Sequence, residues 1–246
     1  MKFKKKVIST ISVILFSLIA FSQNNTSGSV IYGKQILLGI DNEVPDIIKN
    51  GIEKAKGDTD LEYKLSFNNG EANFHIVERM EVETNSEFDM SKAIGGGNGL
   101  FYYNSDTKTK LKQLEISDER FLITNYLDSL KWTITKDTMT IGGFLCYKAI
   151  AQKVTKRKIN TTRKVIAWFS MGLPISYGPI GYNGLPGLIL DLSIENKVRF
   201  YAKTITLSKE EVIIQPEKGK KMTEEAFEIM GKKRYEAFKK SRRRRN

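Results

Sequence analysis

From Leu100 onward the chain is cut into short apolar segments that recur at roughly ten-residue spacing. They are Leu100 to Tyr103, Lys110 to Ile116, Phe121 to Asn125, Leu130 to Thr135, Phe144 to Val154, Arg163 to Phe169, Leu188 to Ile194 and Val198 to Leu207. Segments that short, with turn residues between them, are strands, and with so few helical interruptions they form a meander rather than alternating βα units. Upstream, Leu61, Tyr63, Leu65 and Phe67 alternate with polar residues, Asn69-Gly70 supplies a tight turn, and Ala72, Phe74 and Ile76 alternate on the return. That is the pattern of a β-hairpin. Val30 to Leu38 reads as a first strand. Helical period occurs twice. Val44 to Lys56 has Pro45 in its first turn and Ile47, Ile48, Ile52 and Ala55 along one side. Near the C-terminus, Thr223 caps a run that opens with Glu224 and Glu225 and continues through Phe227, Met230, Tyr235 and Phe238. The expected fold is mainly β: a single antiparallel curved sheet, one short helix near the N-terminus and a C-terminal helix.

The 246 residues leave room for one domain of about 200 residues. A single histidine, His75, and a single cysteine, Cys146, exclude multi-histidine metal sites, cysteine zinc sites, CxxC redox pairs and intramolecular disulfides. No cofactor, no metal and no catalytic residue is therefore assigned. A nucleophilic cysteine needs a base such as His75 beside it. Cys146 instead stands between Leu145 and Tyr147 in an apolar strand, as a buried small hydrophobe does, and His75 alternates with Phe74 and Ile76 toward solvent. Trp132 and Trp168 read as core. Glu81 to Gly99 ends in Gly95-Gly96-Gly97-Asn98-Gly99, but no Gly-Lys-Ser/Thr and no helical pattern follows, so the stretch reads as a flexible loop and not a phosphate cradle. The adjacent carboxylates Asp118/Glu119 and Glu210/Glu211 fall at turn positions facing solvent.

The net charge of +12 is carried by the ends. Lys2, Lys4, Lys5 and Lys6 precede an uncharged run from Val7 to Phe21, and Ala20 and Ser22 stand at the −3 and −1 positions of a cleavage site. This is the anatomy of an export signal, which leaves Gln23 first after cleavage. The run is shorter than the roughly 20 residues of a spanning helix. The last 16 residues carry nine cations against Glu236, whereas residues 23 to 230 are neutral in sum. A neutral body removes the argument for a nucleic-acid partner. The tail, with Lys239, Lys240, Arg242, Arg243, Arg244 and Arg245, reads either as a contact for an anionic surface, such as phospholipid headgroups, glycolipid phosphates or an acidic protein, or as a solvated terminus. The chain thus divides into a signal peptide (1–22), a β-rich body (23–215) and, past a linker at Pro216, a C-terminal helix with a basic tail (216–246). It is expected to be exported, and periplasmic or associated with the outer membrane.

Ala167 to Leu190 holds three of the five prolines and five glycines, so it cannot run as a central strand throughout. It is expected to turn tightly between two strands, with glycines at positive φ and apolar residues tucked beneath. Within it, Gly184 to Ile189 spells GLPGLI. Leu130-Lys131-Trp132, the strand from Ile141 through Gly142, Gly143, Phe144 and Cys146 to Lys148-Ala149, Ala167-Trp168-Phe169, Pro174-Ile175 and Gly178-Pro179 accompany it. Over these residues, about 130 to 195, the sequence resembles the GLPGLI family of exported bacterial proteins. It departs from the family where Lys156-Arg157-Lys158 stands without a glycine-arginine pair. The resemblance implies an exported, β-rich domain and brings no activity, cofactor or catalytic residue with it. By strand order alone the chain is also similar to the lipoprotein-carrier type of open β half-barrel, an analogy that fixes no function.

Tyr177 and Tyr182 flank Gly178-Pro179 and, with Leu185 and Pro186, form a candidate contact surface, although capping the end of a β core is equally consistent with them. Two functions follow. One is a non-catalytic carrier of an apolar ligand, such as an acyl chain or a lipid-modified partner, docked at the membrane by its tail. The other is an accessory protein of an envelope complex that uses the crossover as its contact surface. A hydrolase is a distant third.

Overall fold

The computed structural model describes residues 27–39, 46–57, 61–77, 92, 94–116, 119–124, 130–156 and 160–243; the expected signal peptide (1–22), Arg244 and Arg245 lie outside the described residues. Among the described residues, twelve strands form one open sheet: β1 (Ser27–Ile36), β2 (Glu62–Asn68), β3 (Glu71–Ile76), β4 (Leu100–Asn104), β5 (Thr109–Ile116), β6 (Glu119–Thr124), β7 (Trp132–Ile141), β8 (Phe144–Lys156), β9 (Asn160–Ser170), β10 (Leu188–Ile194), β11 (Val198–Ser208) and β12 (Lys220–Thr223). Their spatial order is β12-β6-β5-β4-β3-β2-β1-β11-β10-β9-β8-β7. Helix α1 (Asp46–Gly57) follows β1, and helix α2 (Glu224–Arg243) follows β12.

The β2–β3 hairpin closes on Asn69 and Gly70 at φ 46° and 81°, the left-handed pair that matches a tight turn to the twist of its strands. Directly paired residues share a face of the sheet. One paired row runs Val30, Leu65, Phe74, Phe101, Lys112 and Ile123. Another runs Ala149, Ala167, Leu192, Phe200 and Lys34. These rows form the inner face, and all of their apolar members are buried. Aromatic rings fill its centre: Tyr63 stacks on Phe74 with centroids 5.3 Å apart, and Phe101 and Phe200 each meet Phe74 edge-on at 6.0 Å. The sheet curls enough that Lys153, next to one edge on β8, donates to Glu224, just past β12 at the other, at 3.1 Å.

The sheet is not wholly antiparallel, because β12 pairs with β6 in parallel. The reason lies in residues 209–219, which form no linker at Pro216 but a strap across the outer face. Ser66 and Asn68 on β2 donate to Glu211, Asn73 on β3 donates to the Ile214 carbonyl, and Gln113 on β5 accepts from the Glu217 amide. The chain therefore reaches the far side of the sheet before it can pair again. Glu211 does not face solvent as its turn position suggested: its side chain is 14% exposed and bonded to Lys64 at 2.6 Å.

Candidate functional site

The crossover between β9 and β10 folds back over the end of the inner face. Its backbone is tied to itself and to β10: Leu188 N–H donates to the Leu173 carbonyl at 2.9 Å and Ile189 N–H to the Tyr177 carbonyl at 3.0 Å. A short 3-10 turn, Pro179–Gly181, carries Ile180 at φ 47°, a left-handed conformation that costs a β-branched residue on the order of 1–3 kcal/mol. The surrounding packing must hold it there. Tyr177 stacks on Tyr103 of β4 at 5.5 Å, Tyr182 meets Trp132 of β7 at 6.4 Å, and Trp132 Nε1 donates to the Asn183 carbonyl at 2.8 Å. The crossover thereby joins β4 to β7 across the curl of the sheet.

This packing corrects the proposed contact surface. Tyr177 is 2% exposed, Tyr182 3% and Leu185 2%; Gly178 and Pro179 are buried as well, and of that set only Pro186 is exposed. The aromatic residues cap the β core. Burial raises the hydroxyl pKa values of both tyrosines, so neither is a base near neutral pH. The inner face that a carrier would keep open is occupied by the crossover's own side chains and by the aromatic cluster beneath them.

Beside the crossover lies a group of charges. Lys153 and Arg163 are cross-strand partners on β8 and β9, an arrangement of like charges that is unfavourable by itself. Each has a carboxylate: Glu224 at 3.1 Å from Lys153 and Glu195 at 3.6 Å from Arg163. The Tyr182 hydroxyl feels Arg163, Glu224 and Glu195. Lys112 of β5 completes the group, its Nζ 5.0 Å from the centre of the Phe101 ring. Burial first and Lys153 second push its pKa down to about 8, against the opposing pull of Glu224. The Lys153–Glu224 pair ties the start of α2 to β8, and the arrangement aims no acid and base at one point.

A second buried cation escaped sequence reasoning. Lys34, 5% exposed, donates to the Gly96 carbonyl at 2.8 Å and to the Tyr63 hydroxyl at 3.5 Å. Its ammonium lies 5.7 Å from the Tyr63 ring centre and 5.6 Å from that of Phe200. The alternation of Val30, Tyr32, Lys34 and Ile36 along β1 carries the signal, since every second residue there faces inward. The glycine run does not behave as a loose loop where it is described. Gly95, Gly96 and Gly97 hold positive φ, and a Cβ on Gly97 would lie 2.7 Å from the Tyr63 ring. These glycines seat a backbone carbonyl over the Lys34 ammonium.

Cys146 lies in the core cluster, its thiol pushed up to about 11, chiefly by burial. His75, on β3, faces outward between the inward-facing Phe74 and Ile76, and five strands of the sheet stand between β3 and β8, which carries Cys146. Trp132 and Trp168 are half-buried against the core. Among the described residues no three His, Cys, Asp or Glu side chains are grouped to hold a metal ion, and no helix is long and apolar enough to cross a membrane. Helix α2 carries Lys239, Lys240, Arg242 and Arg243 on its last turns.

With this geometry in hand, a family model described as a protein of unknown function (Porph_ging) matches residues 152–191, the end of β8, β9, the crossover and the start of β10. No curated protein sequence matches the chain. Among solved structures, the chain is similar to PNGF-II in two crystal forms, both at a TM-score of 0.53, with 11% and 10% identity. The match covers 83% of this chain in each case and 33% and 32% of PNGF-II, so the chain spans about a third of that protein's length. At such identity the likeness is one of fold.

Proposed function

We propose that this is an exported, non-catalytic envelope protein of the GLPGLI type, an accessory or interaction module held at an anionic surface by its C-terminal helix. The observation that carries the reading is the placement of α2. Its first turns are anchored: Thr223 Oγ1 accepts from Ala226 N–H at 3.2 Å, Phe227 packs on Phe121, and Arg234 reaches Glu119 at 3.6 Å. Lys232 and Lys233 are exposed on the same helix, as are Ile229, Glu236 and Ala237. Each cation near an anionic membrane contributes about 1 kcal/mol, so the eight cations after Met230 other than Arg234 are ample for peripheral binding.

Two features favour an interaction module over a carrier or a hydrolase. The crossover packs its own side chains against the inner face that a carrier would keep open, and the single histidine and single cysteine stand on β3 and β8, with five strands of the sheet between them. The test is a chain lacking Gly231 to Asn246. It should keep its far-UV circular dichroism and cooperative unfolding while losing affinity for phosphatidylglycerol vesicles at low salt. Equal vesicle binding by both forms would overturn the reading.

A further inference from the structure

The neutrality of residues 23–230 conceals a strong polarity. Residues 130–170, which hold β7, β8 and β9, carry nine cations, among them Lys131, Lys136 and Lys164, against one carboxylate, Asp137. The rest of that body is correspondingly negative. Pairing places some of this charge on the outer face. One outer row runs Lys148, Trp168, Asp191 and Tyr201, the next Thr133, Ile150, Ile166, Ser193 and Arg199, and in a third Gln152 stands opposite Lys164. The Lys148 ammonium lies 5.8 Å from the Trp168 ring centre, and the Arg199 guanidinium 5.5 Å from that of Tyr201. Asp191, the carboxylate of these rows, accepts from Arg199 Nε at 2.8 Å and is thereby neutralised. Ile150, Ile166, Trp168 and Tyr201 are all half-buried. The strap bonds to β2, β3 and β5, which lie in the other half of the sheet.

Aromatic rings with polar edges, isoleucines between them and cations around them on one sheet face are the chemistry of a membrane interface. Trp and Tyr settle at headgroup level, aliphatic side chains reach the acyl boundary, and Lys and Arg bind lipid phosphate. We propose that the outer face spanning β7 to β11 docks flat on a bilayer bearing anionic headgroups. This rests on the reading of the protein as one held at an anionic surface and gives it a second contact, independent of the tail.

The test uses the full chain with vesicles of phosphatidylglycerol and phosphatidylcholine, and with phosphatidylcholine alone, at low salt. Binding to the anionic vesicles should shift tryptophan emission to the blue. The shift should vanish in Trp168→Phe, because the remaining Trp132 is hydrogen-bonded inside the fold. Replacing Lys148 and Lys164, which pairing puts on this face, and Lys131, two residues before Thr133 of the same face, together by glutamine should weaken binding by about tenfold or more, since each removes a headgroup contact. Circular dichroism of each variant checks that the sheet is intact. A bound protein with unshifted emission overturns the proposal, as does a shift that survives in Trp168→Phe or a triple variant that binds normally. The same shift produced by soluble polyglutamate or duplex DNA would also overturn it, by making the face a general polyanion surface. Deleting Gly231 to Asn246 separates the two readings: if vesicle binding is unchanged the tail reading fails, while a Trp168 shift that persists sustains the sheet face.

Discussion

A Cβ on Gly187 would lie 2.1 Å from the carbonyl oxygen of Ser170 and 2.6 Å from its carbon, backbone atoms of β9 that cannot step aside. Gly184, in the same hexapeptide, meets a different demand: φ is 90°, but the nearest atoms to an added Cβ are those of Trp132 at 3.7 Å and beyond. The two glycines should therefore fail differently. Gly184→Ala pays only for its backbone conformation, about 1 kcal/mol. Gly187→Ala must push β9 and β10 apart and should cost on the order of 3 kcal/mol or prevent folding, as close-packed interiors do when backbone is forced to move. Urea denaturation of both variants checks the order, and equal losses would refute the packing account. The apolar members follow the same logic. Leu185, Leu188 and Ile189 are core residues, and Pro186 is the exposed apex. GLPGLI is thus a device for turning a buried chain into β10, and its residue types are those that close approach requires. The sequence showed that such a turn must exist; it could not show that Tyr177 and Tyr182 point into the core, because that depends on Tyr103 and Trp132 arriving from distant strands.

At the scale of elements, what could be read from sequence was what local geometry decides. The β2–β3 hairpin announced itself because Asn69-Gly70 permits few other turns, and the period of two put Phe74 and Ile76 inward and His75 outward. The strap had no such signature. Residues 209–219 follow neither helical nor strand period, and their partners on β2 and β3 lie about 140 positions away in sequence. The four-residue β12 exists only because that strap delivers it beside β6. A stability prediction follows from this difference. Glu211 accepts from Ser66 at 3.0 Å and pairs with Lys64 at 2.6 Å while largely shielded from water. Its removal leaves the Ser66 hydroxyl, on a residue only 2% exposed, and a lysine without their acceptor. Glu211→Ala should cost about 1–3 kcal/mol, whereas at its exposed neighbour Glu210→Ala should stay within about 0.5 kcal/mol of wild type. Denaturant midpoints of the pair test this, and a neutral Glu211→Ala would mean that the strap is held by its backbone contacts alone.

The molecule as a whole stores positive charge where its curled sheet brings β5 and β8 together, and that should be visible in its stability against pH. Lys112 is faced by the Phe101 ring from β4, by Lys153 from β8 and by Glu224 from α2. Its folded pKa of about 8 lies below the unfolded value of 10.5, so between these pH values the unfolded chain holds a proton that the folded chain has released. Stability therefore rises as pH climbs through 8, and below that the full penalty of a shielded ammonium persists. Cys146 has the opposite sign: its thiol is raised from 9.0 to about 11, so above pH 9 the unfolded chain ionises first and stability falls. The buried hydroxyls of Tyr32, Tyr177 and Tyr182, all raised, deepen that fall at higher pH. A broad maximum between pH 9 and 10 is the expected result, because the Lys112 gain, which continues toward 10.5, offsets the Cys146 loss until the tyrosines of the unfolded chain begin to ionise at 10.0. Lys112→Met should be more stable than wild type at pH 7 by about 1 kcal/mol or more, since the methionine keeps the apolar stem against Phe101 and discards the charge beside Lys153. It should also lose the rise above pH 8 and fall from pH 9 onward, where the Lys112 contribution holds wild type level. Urea unfolding of both proteins from pH 7 to 10 decides the matter: a rise that persists in Lys112→Met would mean that some other group releases the proton, and the strain of the curl would then have to be sought elsewhere than in the facing lysines.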